Sequence, residues 1–314
     1  MIVPTFRDVK AAHERIRPFV RHTVVIESSA LNELFKARLF FKCENLQKAG
    51  AFKFRGALNA ILSLSDQQLV HGVATHSSGN HAAALSLAAS LKGVKAHIVM
   101  PDTAPAVKVE AVRTYGGVIT FCEPTLEARE QTLAKVVAET GATFIHPYNN
   151  FNVVCGQGTA TKELLEEVGP LDVVMAPVGG GGLMSGTAIS AKALCPDAQI
   201  IGAEPKNADD ACRSLKAGKL FLSDNPETMA DGLRTSLSDL TWEIIRSHVD
   251  DIFTASESSI KAAMVLLKKH AAILAEPSSA VPLAALLENR SYFEGKRVGM
   301  IISGGNYDAA LLGD

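Results

Sequence analysis

Four consecutive glycines separate an apolar segment from a helix-forming segment, and they restrict the possible folds more than any other feature. The segment at 172–177 has the length and composition of a buried strand, and residues 183–194 have those of a helix. Backbone amides in a glycine turn can point inward together, and the following helix adds its positive end, so this junction suits a phosphate group. The glycines are Gly179, Gly180, Gly181 and Gly182.

Two familiar nucleotide motifs do not fit this glycine run. No Gly-Lys-Ser/Thr follows it, which excludes a Walker loop, and its glycines are not spaced as in the dinucleotide fingerprint. A flexible hinge is the alternative. The strand–loop–helix context favours a phosphate loop, because that context is what such a site requires.

Strand-like and helix-like segments alternate along most of the chain. This alternation predicts an α/β protein whose mostly parallel, twisted sheets carry helices on both faces. Two alternating blocks predict two α/β domains, with boundaries near residues 72 and 148 and a ligand site between them. We assign 1–71 with 149–314 to a large domain and 72–148 to a small mobile domain. The predicted strands are 38–43, 73–75, 96–100, 118–121, 143–145, 172–177, 199–204 and 297–302, and the predicted helices are 6–16, 55–64, 81–91, 106–115, 125–140, 158–168, 183–194 and 260–267.

Composition excludes several classes of protein. The 314 residues are 47% hydrophobic and 20% charged, which indicates a globular, enzyme-sized chain. A net charge of −2 argues against nucleic acid or an anionic membrane as partner, and no apolar run has the length of a membrane span. Five scattered cysteines favour reduced thiols and a cytoplasmic location over disulfides or zinc.

Lys53 lies between Phe52 and Phe54, with Gly50 and Gly56 on either side. An amine among apolar side chains loses hydration in its charged form, which lowers its pKa. A neutral amine is a nucleophile and can form a Schiff base with a carbonyl cofactor. For a lysine taken alone, a solvated position at a turn is the commoner explanation, and the remaining motifs reverse that preference.

Two other loops follow predicted strands. Ser77, Ser78 and Asn80, with the local amides, can hold a carboxylate at a helix start, although a plain N-cap explains them equally well. Ser303 precedes two glycines, so its hydroxyl can approach a planar ring closely, and a simple turn is the alternative.

Glu204 and Asp210 flank a short loop after another predicted strand. Their carboxylates, with the free carbonyls between them, suit a hard divalent cation such as Mg²⁺ or Ca²⁺. Taken alone, the pattern fits a solvated acidic loop better.

Together these motifs resemble the fold-type II (tryptophan synthase β-like) pyridoxal-phosphate (PLP) enzymes, and within them the serine racemase and threonine dehydratase family. The resemblance extends from Phe40 to Asn306. Cysteine synthases lack the Lys-Phe-Arg-Gly-Ala sequence around the lysine. In the family's order, the motifs are KAGAFKFRGA (48–57), SSGNH (77–81), GQGT (156–159), GGGGL (179–183), ADG (230–232), EPS (276–278) and SGGN (303–306).

The resemblance implies roles for individual residues. Lys53 would carry the cofactor and act as acid and base at the substrate Cα, while Phe52 would pack on the pyridine ring. Asn80 would bind the ring hydroxyl and Ser303 would face the ring nitrogen. The four glycines and Leu183 would hold the phosphate, and the substrate would meet Ser77, Ser78, Asn80, His81 and Arg129. Glu204, the Ala208 carbonyl and Asp210 would bind Mg²⁺, with Ca²⁺ or Mn²⁺ as alternatives.

Ser303 also carries an electronic argument. A neutral hydroxyl, unlike an aspartate, leaves the ring nitrogen unprotonated and the cofactor a weaker electron sink. A substrate carbanion in such a site should expel a β-substituent or be reprotonated at once. These outcomes are β-elimination and racemisation.

Two residues bear on the choice within the family. Ser78 resembles the serine of serine racemases and hydroxyaspartate dehydratases, where threonine dehydratases usually have alanine, and it would donate a proton opposite Lys53. Arg129 matches an arginine of the racemase branch and can bind a side-chain carboxylate through two hydrogen bonds, although pairing with Glu123 or Glu127 is as good an explanation. We therefore predict a serine racemase with accompanying L-serine β-elimination. The alternative is an ammonia-lyase for L-threo-3-hydroxyaspartate, or for threonine or serine, with little racemisation.

One departure from the family concerns an effector. Ala49 and Ala51 stand where the family has hydroxyl residues that contribute to a nucleotide site in animal serine racemases. ATP activation is therefore in doubt, even though Lys48, Ser28 and Ser29 remain. The resemblance also implies a homodimer.

Overall fold

The computed structural model describes residues 1–77, 79–224 and 226–307, which form two sheets flanked by helices. The strands are β1 (Val25–Glu27), β2 (Arg38–Cys43), β3 (Val73–His76), β4 (Ala96–Pro101), β5 (Val118–Cys122), β6 (Thr143–Phe144), β7 (Val173–Pro177), β8 (Gln199–Pro205), β9 (Asp251–Ala255) and β10 (Arg297–Ile302). The helices are α1 (Phe6–Ile16), α2 (Ser29–Phe35), α3 (Lys53–Leu62), α4 (Asp66–Leu69), α5 (Asn80–Lys92), α6 (Ala106–Thr114), α7 (Leu126–Thr140), α8 (Phe151–Val168), α9 (Gly182–Leu194), α10 (Asp210–Ala217), α11 (Asp239–His248), α12 (Glu257–Ala271), α13 (Pro277–Glu288) and α14 (Arg290–Phe293).

The larger sheet has six strands in the order β1-β2-β10-β7-β8-β9, and the smaller has four in the order β5-β4-β3-β6. Strand β1 pairs antiparallel with β2, and the other strand pairs of the described residues are parallel. The predicted α/β class with mostly parallel sheets is therefore confirmed. The short edge strands β1 and β9 were not predicted.

The start of helix α8 and the presence of helix α13 both differ from what the sequence predicted. Helix α8 begins seven residues before the predicted position 158, because the Asn150 side chain accepts a hydrogen bond from the Val153 amide and caps the helix there. Helix α13 was not predicted at all, since it contains two prolines. Pro277 occupies the first turn, where its missing N–H costs nothing, whereas Pro282 lies inside the helix.

Apolar side chains cover both faces of each sheet. Helices α12 and α13 pack on one face of the larger sheet, and α8 and α9 pack on the other. In the smaller sheet, Ile98 and Met100 face the core shared with α3 and α5, whereas Val99 between them faces α7. No helix in the described part of the chain is long and apolar enough to cross a membrane.

Arg55 lies in a buried cluster of charged side chains at the junction of α3, α8 and β2. Its Nε lies 2.7 Å from Glu44 Oε2, and its Nη2 lies 2.7 Å from Glu163 Oε2. Lys42 Nζ lies 2.8 Å from the same Glu163 oxygen. Burial alone would raise the pKa of Glu163, but the two neighbouring cations lower it to about 2. Two cations and two anions thus balance each other.

The fold brings three predicted loops to the carboxyl ends of parallel strands. The glycine run follows β7, Ser303 follows β10, and residues 77–81 follow β3 of the other sheet. Ligands of parallel sheets bind at such ends.

Candidate active site

The glycine run forms a tight loop that leaves no room for side chains. Gly179 and Gly181 have φ of +49° and +85°, which disfavours residues with a Cβ. A Cβ on Gly180 would lie 2.5 Å from the Tyr148 ring, and one on Gly182 would lie 2.9 Å from Tyr148 Cβ. Helix α9 begins at Gly182, so its first-turn amides have no intrahelical partner and are available to an anion.

Lys53 begins helix α3, two residues before the predicted start, and is partly buried. Its Nζ donates to the Pro147 carbonyl oxygen at 3.0 Å and lies 5.1 Å from the centroid of the Phe52 ring. Loss of hydration lowers the pKa of Lys53 to about 8, against the opposing charge of Glu276. A substantial fraction of this amine is neutral at physiological pH.

Asn80 is the first residue of α5, and both the nitrogen and the oxygen of its side-chain amide form hydrogen bonds. Its Nδ2 donates to the two carboxylate oxygens of Glu276 at 2.9 and 3.1 Å, and its Oδ1 accepts from Asn306 Nδ2 at 3.0 Å. Burial raises the pKa of Glu276 to about 7, although the hydrogen bond from Asn80 opposes this. Glu276 therefore interacts with both residues: it accepts hydrogen bonds from Asn80, and its charge acts on Lys53.

Ser303 is buried and lies directly after β10. Its Oγ lies 2.8 Å from Ser279 Oγ, and its carbonyl oxygen accepts from the Phe52 amide at 2.9 Å. The loop after β10 is thereby tied to the segment that carries Lys53, and Ala51 forms a bridge with Gly304.

Among the substrate residues predicted in the 77–81 loop, Ser78 lies outside the described residues. The Gly79 amide donates to Ser77 Oγ at 3.3 Å. His81 is buried, and no hydrogen bond of normal geometry reaches either ring nitrogen within the described ranges, although the backbone of Ile145 lies near enough to act on its pKa. Burial lowers the pKa of His81 well below its usual value, with Lys53 acting in the same direction, so the imidazole is neutral.

Arg129, on α7, does not form the ion pair with Glu123 or Glu127 that we considered for it, within the part of the chain that is described. Its Nε donates to the Thr125 carbonyl oxygen at 3.2 Å. Burial is the main cause that lowers the pKa of His76, and the positive charge of Arg129 is the second. The Arg129 guanidinium therefore lies near His76, at the end of β3. The cation thus faces the same edge of the smaller sheet as the 77–81 loop.

His146 and Tyr148 belong to the site although the sequence did not single them out. His146 Nδ1 accepts from the Tyr148 and Asn149 amides at 3.3 and 2.9 Å, and burial lowers the pKa of His146 to about 4. The resulting turn holds Pro147 against Lys53 and Tyr148 against the glycine loop. Their position after β6 was the available signal, since it repeats the strand-end placement of the other site loops.

Glu204 and Asp210 form a buried pair of acids next to the start of α10. Glu204 accepts from the Ala211 and Cys212 amides at 3.3 and 2.8 Å. No hydrogen bond of normal geometry reaches either carboxylate oxygen of Asp210 within the described residues, although the backbone amides of Asp210 and Leu237 lie near enough to lower its pKa in part. Burial raises the pKa of Asp210 to about 6 and that of Glu204 well above its usual value, and the charge of Arg213, which is paired with Asp209, offsets this only in part. No group of three acidic, histidine or cysteine side chains in the described chain is placed to hold a metal ion, so a cation here would also need carbonyls such as that of the buried Ala208.

Comparison with known proteins identifies the family to which this arrangement belongs. The profile described as "Pyridoxal-phosphate dependent enzyme" matches residues 16–304. The chain belongs to this family. The β-hydroxyaspartate dehydratase of Paracoccus denitrificans is 56% identical over 312 residues, which are 99% of each chain, and a serine racemase of Arabidopsis thaliana is 49% identical over 98% of this chain and 94% of its own.

Solved structures of PLP enzymes agree with this assignment. Maize serine racemase superposes with a TM-score of 0.96 at 46% identity, covering 99% of this chain and 96% of its own. The serine racemase of Dictyostelium discoideum superposes with a TM-score of 0.92 at 47% identity, covering 97% of this chain and 99% of its own. The predicted fold-type II architecture is confirmed.

The residues of this PLP-family chain fit the cofactor. The glycine loop and the amides of α9 suit a phosphate, Lys53 suits the aldehyde, and the buried hydroxyl of Ser303 suits a ring nitrogen. The three features lie at loops that touch one another through Phe52, Pro147 and Tyr148.

Proposed function

We propose that the protein removes the Cα proton of small β-hydroxy amino acids, racemising serine and eliminating water from L-serine or a related substrate. The observation that carries this proposal is Lys53, whose pKa of about 8 makes its amine a usable base beside a loop suited to phosphate. Relatives named as serine racemases and as a β-hydroxyaspartate dehydratase support the same reaction class.

Each residue then has a distinct task. The bound cofactor supplies the electron withdrawal that acidifies the substrate's Cα–H bond. Lys53 takes that proton, and Ser78 returns one from the opposite side during racemisation. Phe52 packs against the ring, Asn80 binds its hydroxyl, and Ser303 faces its nitrogen. The loop of Gly179, Gly180, Gly181 and Gly182, followed by Leu183, holds the phosphate.

An ammonia-lyase for L-threo-3-hydroxyaspartate is the second candidate, and Arg129 favours it. A guanidinium that forms no ion pair among the described residues and lies near the 77–81 loop suits a second substrate carboxylate, which serine and threonine lack. The relative named β-hydroxyaspartate dehydratase, at 56% identity, supports this candidate. In this assignment Ser77 and His81 line the substrate site with Ser78 and Asn80.

One assay separates the candidates. Purified enzyme is incubated with L-serine, D-serine, L-threonine or L-threo-3-hydroxyaspartate, and both enantiomer and ketoacid are measured. D-serine formation from L-serine supports the racemase, whereas a kcat/KM at least tenfold higher for hydroxyaspartate, with no enantiomer formed, supports the lyase. Lys53→Ala should abolish turnover of every substrate, and retained turnover would remove Lys53 from its role. Ser78→Ala should abolish racemisation and spare elimination from L-serine.

We also propose a divalent cation, Mg²⁺ in preference to Ca²⁺ or Mn²⁺, bound by Glu204, Asp210 and the Ala208 carbonyl. The two buried acids, neither of which forms a salt bridge within the described residues, support it. Loss of activity with EDTA and recovery with Mg²⁺ would support the site, and indifference to chelation would contradict it.

The remaining proposals concern organisation. We propose a cytoplasmic homodimer in which residues 72–148 form a mobile small domain and residues 1–71 with 149–314 form the large one. Light scattering tests the dimer. Hydrogen exchange with and without substrate tests whether the 72–148 segment moves as a unit.

A further inference from the structure

Ser279 and Ser303 form a buried pair of hydroxyls whose hydrogen-bond directions depend on each other. Ser279 lies in the first turn of α13, with none of its surface exposed, and Ser303 is 2% exposed. Ser279 Oγ has three neighbours: Ser303 Oγ at 2.8 Å, the Gly304 amide at 2.6 Å and the Gly304 carbonyl oxygen at 2.7 Å. The Gly304 amide can only donate to Ser279 Oγ. The hydroxyl of Ser279 has one hydrogen, so it donates a hydrogen bond either to Ser303 Oγ or to the Gly304 carbonyl oxygen.

A backbone hydrogen bond allows Ser279 to donate to Ser303 without leaving the Gly304 carbonyl oxygen unpaired. The Gly304 carbonyl oxygen also accepts the Glu276 amide at 3.0 Å. If Ser279 donates to Ser303, this carbonyl keeps a donor and no buried polar group is left unpaired. Ser303 Oγ then accepts a hydrogen bond, and its own O–H is free to point elsewhere.

We propose that Ser279 is a positioning residue that directs the Ser303 hydroxyl proton toward the nitrogen of the bound pyridine ring. An unprotonated ring nitrogen is only an acceptor, so Ser303 must donate to it. Ser303 donates best when its oxygen itself accepts a hydrogen bond, because hydrogen bonds in a chain strengthen one another. This inference rests on the proposed placement of Ser303 at the ring nitrogen.

A double-mutant cycle on cofactor affinity tests the inference. Apo protein is titrated with pyridoxal 5′-phosphate, and Kd is measured by fluorescence for wild type, Ser279→Ala, Ser303→Ala and the double variant. One hydrogen bond corresponds to roughly a fivefold change in Kd, so Ser279→Ala should raise Kd about fivefold in the wild-type background. In the Ser303→Ala background the same change should alter Kd less than twofold, because Ser279 acts through Ser303.

Ser190→Ala is the matched control. Ser190 is also fully buried and donates to a carbonyl, that of Gly158, on the other side of the larger sheet. It should lower the unfolding temperature of the apo protein without changing Kd. If Ser279→Ala does not fold, Ser279→Cys serves instead, since a thiol fills the position and donates weakly.

Two different failures are distinguishable. A fivefold rise for Ser279→Ala in both backgrounds would make its role purely structural and overturn the inference while leaving the proposed function intact. An unchanged Kd in Ser303→Ala would overturn the placement of Ser303 itself. A fivefold rise that disappears in the Ser303→Ala background supports the inference.

Discussion

The Arg55 cluster and the Glu204–Asp210 pair are both buried, but their charges are arranged in opposite ways. In the first, two cations lie within 2.8 Å of carboxylate oxygens, and the pKa of Glu163 falls to about 2. In the second, neither of the two acids forms a salt bridge within the described residues, the nearby Arg213 offsets burial only in part, and the pKa of Asp210 rises to about 6. A cluster that is neutral by itself is complete, whereas an unbalanced one indicates that a charged ligand belongs there.

The same distinction applies to single side chains. Arg55 is surrounded by acids, whereas Arg129 forms no ion pair in the described part of the chain, and Lys53 meets a carbonyl and an aromatic ring. The unbalanced groups are the ones assigned here to cation, substrate and cofactor. Four experiments test this comparison.

The largest effect is expected from breaking the balanced cluster. Arg55→Met would leave Glu44 and Glu163 buried with Lys42 as their remaining cation, at a cost of about 3–5 kcal/mol in the free energy of unfolding. Equilibrium urea unfolding of the apo protein measures it. Arg246→Met removes a partner of Glu243 in a half-exposed pair and should change little. Equal losses in both variants would mean that burial does not distinguish the two pairs.

The second-largest effect is expected from binding a cation at Glu204 and Asp210. A cation present at a hundred times its Kd stabilises the folded chain by about 2.7 kcal/mol, which raises the unfolding temperature in Mg²⁺ over that in EDTA. Asp210→Asn should remove this response, and it should be at least as stable as wild type in EDTA because the repulsion between the acids is gone. Asp209→Asn, which changes a neighbouring acid paired with Arg213, should keep the response. A response retained in Asp210→Asn would place the cation elsewhere.

Removing the unpaired arginine tests substrate choice. Arg129→Leu should lower kcat/KM for hydroxyaspartate relative to that for serine by about 10- to 100-fold, which corresponds to a charged hydrogen bond of about 1.5–3 kcal/mol. Arg113→Leu, an exposed change on α6, should leave the ratio unaltered. A parallel fall for both substrates would show that Arg129 supports the fold and does not select the substrate.

The smallest effect concerns Lys53 and its anionic neighbour. In apo protein, the rate at which a small amine-reactive reagent modifies Lys53 should rise with pH, reach half of its maximum near pH 8 and level off about one to two units higher, as mass spectrometry of the labelled peptide can follow. An ordinary lysine, with a pKa near 10.4, would still be rising there. Glu276 favours the charged amine, so Glu276→Gln should lower the midpoint further, by less than about one unit. Glu166→Gln, an acid paired with Lys162, is the control. A higher midpoint in Glu276→Gln would contradict the assigned sign.

Features that depend on the local sequence pattern could be predicted from the sequence. Alternating segments gave the α/β class, and the loops at Gly179, Asn80 and Ser303 could be located because polar or glycine-rich residues directly follow apolar strands. The resemblance to a known family then assigned roles to individual residues, which the spacing of the motifs alone could not do.

Long-range packing explains what was missed. Nothing near Tyr148 in the chain indicates that its ring will fill the space above Gly180. Helix α13, which carries Ser279 and follows Glu276, lacks a helical signature because of its prolines and is stabilised by its burial against the larger sheet. Propensity is a weak guide where tertiary contacts decide.

The pairing of β2 with β10 affects how the protein is made. Arg38 is in register with Arg297, so a strand from the first segments to leave the ribosome receives its central partner only near the end of translation. The smaller sheet is built from one continuous stretch and can assemble earlier. Until β10 arrives, one edge of β2 remains open to other strands, and the long sequence separation of this pair slows folding relative to a protein of local contacts.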